Sequence, residues 1–257
     1  MSKVLVLPDI HGRTFWKKAC SDIGKYDKVV FLGDYLDPYG FEGISVDDAV
    51  ENFREIIDFM KRNAGKVVML LGNHDCPYMF EQYYRLSAWH CRHSFSRHKE
   101  ISMLFKECAR MLRIAYAYDG ILFTHAGVES RWLDAKVHCK REDLTGICDA
   151  LNSLTRTDEG IESLFCISES RGGRSSYASC VWSDVSDMKW DSDTHGDGEN
   201  IPAIHSIRQV FGHSLQAYYD DDGKVAYGDA VEFGNCKMLD TACAYELDTE
   251  KFTIIKV

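Results

Sequence analysis

Along this chain, short apolar runs alternate with stretches whose apolar residues recur every three or four positions. Five runs stand out: Val4-Leu5-Val6-Leu7, Val29-Val30-Phe31-Leu32, Val67-Val68-Met69-Leu70-Leu71, Ile121-Leu122-Phe123 and Val210-Phe211. The first three are apolar at nearly every position and rich in β-branched residues, which suits strands buried on both faces. Between them, Val46, Ala49, Val50, Phe53, Ile56, Ile57 and Met60 keep a 3.6-residue period, with Asp47, Asp48 and Glu51 in the first turns. That pattern predicts a helix from Val46 to Asn63. Ile101, Leu104, Phe105, Cys108, Met111 and Leu112 predict another from Lys99 to Ile114, and a weaker signal runs from Gly146 to Leu154. Residues 183–200 are polar, acidic and glycine-bearing, and read as an acidic loop. The tail alternates in short pieces, with Phe252–Val257 as a last strand. Strands alternating with helices predict an α/β fold. No repeat, linker or low-complexity segment interrupts it, so residues 1–257 read as a single domain.

Composition narrows the function. Hydrophobic residues make up 45% and charged residues 27%, ordinary values for a soluble globular chain. No apolar run approaches a membrane span, and Val4–Leu7 is too short for the core of a signal peptide. A cytoplasmic protein without membrane partners is expected. The 40 acidic residues outnumber the 30 basic ones, for a net charge of −10. That balance argues against non-specific nucleic-acid binding, which draws on a basic surface. It leaves room for a small phosphorylated substrate, because bound metal reverses charge locally. Ten cysteines include no C-x-x-C, and the closest pair is Cys236 and Cys243. They read as reduced, mostly buried thiols rather than a disulfide frame.

Each of the five apolar runs ends in a polar cluster. Leu7 leads into Pro8-Asp9-Ile10-His11-Gly12, and Leu32 into Gly33-Asp34-Tyr35-Leu36-Asp37. Leu71 leads into Gly72-Asn73-His74-Asp75, Phe123 into Thr124-His125-Ala126-Gly127, and Phe211 into Gly212-His213-Ser214. Ligands of open α/β sheets bind just beyond the carboxyl ends of the strands, so these clusters can converge. Asp9, Asp34, Asn73, His11, His125 and His213 form a mixed oxygen and nitrogen set. Such a set suits Mn, Fe, Zn or Co rather than calcium or a thiolate-bound metal. Six ligands exceed one tetrahedral site and suit two metals sharing a bridging carboxylate. Taken singly, each motif has a plain reading as a turn or a hydrogen-bonded core histidine. Five in order, each after a strand-like run, make that reading poor.

The order Asp-x-His, Gly-Asp-x-x-Asp, Gly-Asn-His-Asp, Thr-His-Ala-Gly and Gly-His resembles the calcineurin-like metallophosphoesterase superfamily. Gly33-Asp34-Tyr35-Leu36-Asp37, the stretch from Phe105 to Gly127 and Val181-Trp182-Ser183-Asp184 are similar to its serine/threonine phosphoprotein phosphatase branch. The resemblance implies a four-layer α/β/β/α sandwich, two mixed sheets flanked by helices. It implies a first metal on Asp9, His11 and Asp34 and a second on Asn73, His125 and His213, with Asp34 bridging. Mn2+ is the expected metal. His74 would be the proton donor to the leaving oxygen and Asp37 its orienting carboxylate. The implied enzyme is a phosphoric ester hydrolase that cleaves a phosphomonoester, on a phosphoprotein or a small molecule, by attack of a metal-bridged water. Dinucleoside polyphosphates or phosphodiesters are the alternative substrates, and a non-catalytic binding protein is a third reading.

One departure stands out. Members of the phosphoprotein phosphatase branch carry a phosphate-gripping arginine just after the second Asp of Gly-Asp-x-x-Asp, and here that position is Pro38. Arg174 first and Arg171 second, in Arg-Gly-Gly-Arg ahead of Val-Trp-Ser-Asp, are the substitutes expected from the sequence, since an arginine fork suits phosphate oxygens. Residues 78–112 read as a helical, cap-like segment. Within it His90, Cys91, His93 and His98 lie beside Arg85, Arg92 and Arg97, and read as a solvated face. Tyr78, Phe80, Tyr83, Tyr84 and Trp89 read as packing of that cap, and Trp182 as core.

Overall fold

The computed structural model of the protein describes residues 2–194 and 207–257, and the side chains of all of these except 190–194. In chain order the first half runs β1 (Lys3–Leu7), α1 (Phe15–Ala19), β2 (Lys28–Phe31), α2 (Val46–Arg62), β3 (Val67–Leu70), α3 (Cys76–Met79), α4 (His98–Cys108), β4 (Leu112–Arg113), β5 (Ala115–Tyr118) and β6 (Ile121–Thr124). Then come α5 (Ser130–Trp132), α6 (Leu144–Ser153), α7 (Asp158–Leu164), α8 (Val185–Thr194), β7 (Arg208–Phe211), β8 (Ala217–Tyr219), β9 (Val225–Tyr227), β10 (Val231–Phe233), β11 (Cys236–Met238), β12 (Tyr245–Asp248) and β13 (Thr253–Lys256).

Two mixed sheets carry the fold. The larger has the order β13-β12-β1-β2-β3-β4, and the smaller β10-β11-β7-β6-β5. The continuous apolar runs explain their placement, because alternate residues serve opposite faces. Val4, Val6, Val30, Leu32 and Leu70 pack against Ile121, Phe123 and Val210 of the other sheet. Leu5, Leu7, Val29, Phe31, Val67 and Met69 turn instead to the core with Phe53, Ile56 and Ile57 of α2 and Leu104 and Phe105 of α4. On the smaller sheet Leu122 joins Ile147 and Leu151 of α6, while Phe211 and Met238 meet Met188 of α8. The expected sandwich of two mixed sheets with helices outside is therefore present. No helix among the described residues is long and apolar enough to cross a membrane. All ten cysteines are free thiols.

Helix α2 matches its predicted span to within a residue. Ser45 caps it by accepting from Asp48 N, and Lys61 and Arg62 close its last turn. Two expectations need correction. The helix expected from Lys99 to Ile114 ends at Cys108, because Leu112 and Arg113 leave it to pair with Met69 and Leu70 as β4. The acidic loop expected over 183–200 is helical from Val185 to Thr194, and 195–200 lie outside the described residues. The Asp184 carboxylate accepts from the Ser186 backbone at its start, and Met188 is wholly buried. Val185 packs beside Met188, and Ser168 and Ser170 donate to Asp187, so polar and apolar anchors alternate without a helical apolar period.

Phe53 lies between Tyr35 and Phe105, with ring centroids 4.9 and 4.8 Å away, and none of the three is exposed. Phe53→Ala should therefore cost about 3–5 kcal/mol. Denaturant unfolding should show this as a lower midpoint at unchanged slope.

Candidate metal centre

Strand register brings the polar clusters together. Leu7 pairs with Phe31 and Phe31 with Met69 across β1, β2 and β3, so the segments that follow leave side by side. Phe123 pairs with Val210 across β6 and β7 in the same way. The two sets meet between the sheets, where His125 Nδ1 donates to the Leu32 carbonyl at 3.0 Å. Glycines allow the approach. A Cβ at Gly212 would collide with Asp9 Oδ1, and one at Gly72 with Asp34 Oδ1.

Backbone carbonyls fix the imidazole tautomers. His11 Nδ1 donates to the Leu36 carbonyl at 2.7 Å, which leaves Nε2 as the free lone pair, as in His125. Both Nε2 atoms lie 3.5 Å from Asp34 Oδ2. His213 Nδ1 sits 2.9 Å from Asn73 Oδ1 and 3.2 Å from His125 Nε2. Asp9 Oδ1 accepts from His213 N at 2.9 Å, and Asp9 Oδ2 is buried without a hydrogen-bond partner. Two triads of donor atoms result, His11-Asp34-His74 and Asp34-His125-His213, all buried and both containing Asp34.

This arrangement fits cations. In the neutral ring His125 Nε2 is an acceptor, yet it stands 2.9 Å from Asn73 Oδ1, another acceptor. Lone pairs aimed at each other at that distance repel unless a positive charge lies among them. Burial lowers the pKa of His11 and His213 well below the usual imidazole range, helped by His74 and Arg171 respectively. The rings are thus held in the metal-ligating neutral form. Burial, then the charge of Asp9, pushes the Asp34 carboxyl well above its usual range. A bound cation relieves that cost. The backbone is strained here as well. His11, Asp34, Asp37 and His213 adopt φ of 43°, 52°, 57° and 71°. Each such residue costs on the order of 1–3 kcal/mol.

His74 and Asp37 stand beside the triads. His74 Nδ1 donates to Asp37 Oδ2 at 2.9 Å, and His74 N donates to Asp34 Oδ1 at the same distance. Tyr78 and Ser94 donate to the other Asp37 oxygen at 2.6 and 3.3 Å. Asp75 is wholly buried and accepts from the backbone of Asp34 at 2.7 Å, Gly72 at 2.8 Å and Tyr35 at 3.1 Å. It ties the Gly33-Asp34 turn to the Gly72-Asn73 turn, a task the sequence alone does not reveal.

The arginines fall differently from expectation. Arg174, the first substitute expected from the sequence, is exposed and makes no hydrogen bond or ion pair with the described residues of the cluster. The glycines close its loop on itself, with Gly173 N donating to the Ser168 carbonyl and Ser175 bridging Ser168. Arg171 does reach the cluster's edge: it donates to Ser214 Oγ at 2.9 Å and pairs with Asp184 at 2.6 Å. The segment read as a solvated face crosses the cluster instead. Cys91 Sγ contacts the Asn73 carbonyl at 3.6 Å, and Arg92 Nη2 lies 3.3 Å from both His11 nitrogens. Trp182 is core as expected, its ring 5.9 Å from that of His213.

A model of the calcineurin-like phosphoesterase family matches residues 2–178. The structure is similar to that of a cold-active protein-tyrosine phosphatase from a psychrophilic Shewanella species, at 15% identity and a TM-score of 0.54, over 100% of this chain and 80% of that one. It is more distantly similar to a serine/threonine phosphatase from Saccharomyces cerevisiae (13% identity, TM-score 0.45, 96% and 72% covered). A metallophosphoesterase from Sphaerobacter thermophilus matches at 11% identity and a TM-score of 0.43, with 100% and 88% covered. No curated protein sequence matches the chain.

Gly212→Ala tests the packing of the cluster. The added methyl should displace Asp9 and weaken metal binding by about 10- to 100-fold, the usual effect of disturbing a ligand's support. Metal titration reads the affinity, and circular dichroism checks that the fold is kept. Undiminished metal affinity would contradict the assignment.

Proposed function

The chain belongs to the calcineurin-like phosphoesterase family, and from that membership we propose that it is a dinuclear metal-dependent phosphatase acting on phosphomonoesters. The observation that carries this reading is the sharing of Asp34 by two buried donor triads, with the His74–Asp37 pair alongside. Asp9, His11 and Asp34 would hold one cation, and Asn73, His125 and His213 the other, with Asp34 common to both. Mn2+ suits this oxygen and nitrogen set, as do Fe, Zn and Co. Two such cations supply Lewis acidity and acidify water at neutral pH.

The chain's own residues do the rest. Asp37 accepts the Nδ1 proton of His74, so the ring is held with Nε2 free to carry a proton to the leaving oxygen. Tyr78 and Ser94 hold Asp37 from its other side. His74 lies within one of the donor triads, and burial lowers its pKa against the opposing pull of the Asp37 carboxylate; with its Nδ1 hydrogen committed to Asp37, this reading gives it proton transfer rather than ligation. The substrate is a phosphorylated protein or small molecule. Neither membrane binding nor non-specific nucleic-acid binding belongs to this proposal.

Two variants separate metal binding from proton transfer. Asp34→Asn should lose metal and activity together, read by elemental analysis and by hydrolysis of a phosphomonoester panel with added Mn2+. Two metals and wild-type turnover in this variant would refute the shared ligand. His74→Asn should keep its metals and lose kcat by roughly 10²–10⁴. The loss should shrink for p-nitrophenyl phosphate, whose leaving group needs no proton. Equal losses for good and poor leaving groups would exclude the acid role.

A further inference from the structure

Three arginines approach the donor cluster, and their partners differ. Arg13 Nε pairs with Glu42 at 2.6 Å, and Arg171 Nε with Asp184 at 2.6 Å. Arg92 pairs with no carboxylate among the described residues. Its Nε donates to the Asp37 backbone carbonyl at 3.0 Å, and its guanidinium lies 3.5 Å over the ring of Tyr39. Nη2 faces only His11, at 3.3 Å from each ring nitrogen. Neither nitrogen serves it as an acceptor once the ring ligates a cation. The Nδ1 hydrogen is already spent on the Leu36 carbonyl, and the Nε2 lone pair is then taken. Arg92 is therefore a solvent-exposed cation, oriented by stacking and one hydrogen bond, with its terminal N–H groups unspent.

We propose that Arg92 is the phosphate clamp of this site, supplied from the segment that crosses the cluster to replace the arginine missing at Pro38. The substitution is written into the local sequence: Pro38 carries no cation, and the next residue, Tyr39, provides the face on which Arg92 lies. The segment is anchored on both sides of Arg92. Cys91 contacts Asn73, and Ser94 N donates to Tyr78 Oη at 2.7 Å. The clamp also selects the substrate class. A phosphomonoester carries a second negative charge and a third non-bridging oxygen, both absent from a diester. A guanidinium fork with no carboxylate of its own is matched to that dianionic group.

The inference rests on the phosphatase reading, and its test keeps the two apart. Orthophosphate is titrated by calorimetry into the metal-loaded full chain, as wild type, Arg92→Ala and Arg92→Lys, with metal content measured for each. Arg92→Ala should weaken phosphate binding by about 10- to 150-fold, the worth of a charged hydrogen bond, with metal content unchanged. Arg92→Lys should recover part of that, because it keeps the charge and loses the fork. Phosphate affinity within about twofold of wild type in Arg92→Ala would overturn the clamp, as would a wild type that binds no phosphate. So would a loss confined to kcat, which points to Arg92 merely holding Asp37. Weakened phosphate binding in a protein whose wild type hydrolyses no phosphoester would uphold the clamp and sink the phosphatase reading.

Discussion

Electron pairs crowd around Asp34 Oδ2 with too few protons to share among them. Nε2 of His11 and Nε2 of His125 both point at that oxygen from 3.5 Å, and Asn73 Oδ1 faces His125 Nε2 at 2.9 Å. Asp9 Oδ2 is buried nearby with nothing to accept. Such a set is costly in a low-dielectric interior unless cations join it. The surrounding architecture holds it together: parallel strands end in register, glycines admit the carboxylates, and four non-glycine residues take left-handed backbone.

The forces that impose this arrangement come mainly from outside the ligand set. Asp75 gathers three backbone N–H groups from two loops and so fixes the distance between Asp34 and Asn73. The Leu36 and Leu32 carbonyls set the tautomers of His11 and His125, and Asp37 does the same for His74. The sheets behind supply rigidity. Val4, Val6 and Val30 face Ile121, Phe123 and Val210 across a buried apolar layer, while α2 and α4 close the opposite side of the larger sheet. Strain at His11, Asp34, Asp37 and His213 is tolerable because these contacts over-determine the loops.

Much of this was legible in the sequence. Continuous apolar runs mark strands buried on both faces, and the polar cluster after each run marks a loop at a strand's carboxyl end. The six candidate ligand residues followed from that placement, and the structure brings their side chains close together. What escaped has physical causes. Among its described side chains, helix α8 is held by the cap at Asp184, by buried Met188 and by the Ser168 and Ser170 hydroxyls donating to Asp187, a mixture that leaves no apolar period to read. The end of α4 is set by pairing with β3, a long-range event that the apolar pattern runs straight through. Asp75 looks like a turn residue until its three donors are seen. Arg174 turns away from the cluster and Arg92 lies over it for one reason: the direction of a loop depends on hydrogen bonds that composition does not encode. Gly173 turns the first loop back upon Ser168, while Cys91 and Ser94 hold the second across the cluster.

Anomalous diffraction from crystals grown with Mn2+ tests the central point most directly, because it counts and locates the cations. Two peaks are expected, one beside His11 and one beside His213, with the Asp34 carboxylate between them. A single peak, or none within reach of Asp34, would contradict a shared carboxylate and with it a dinuclear centre.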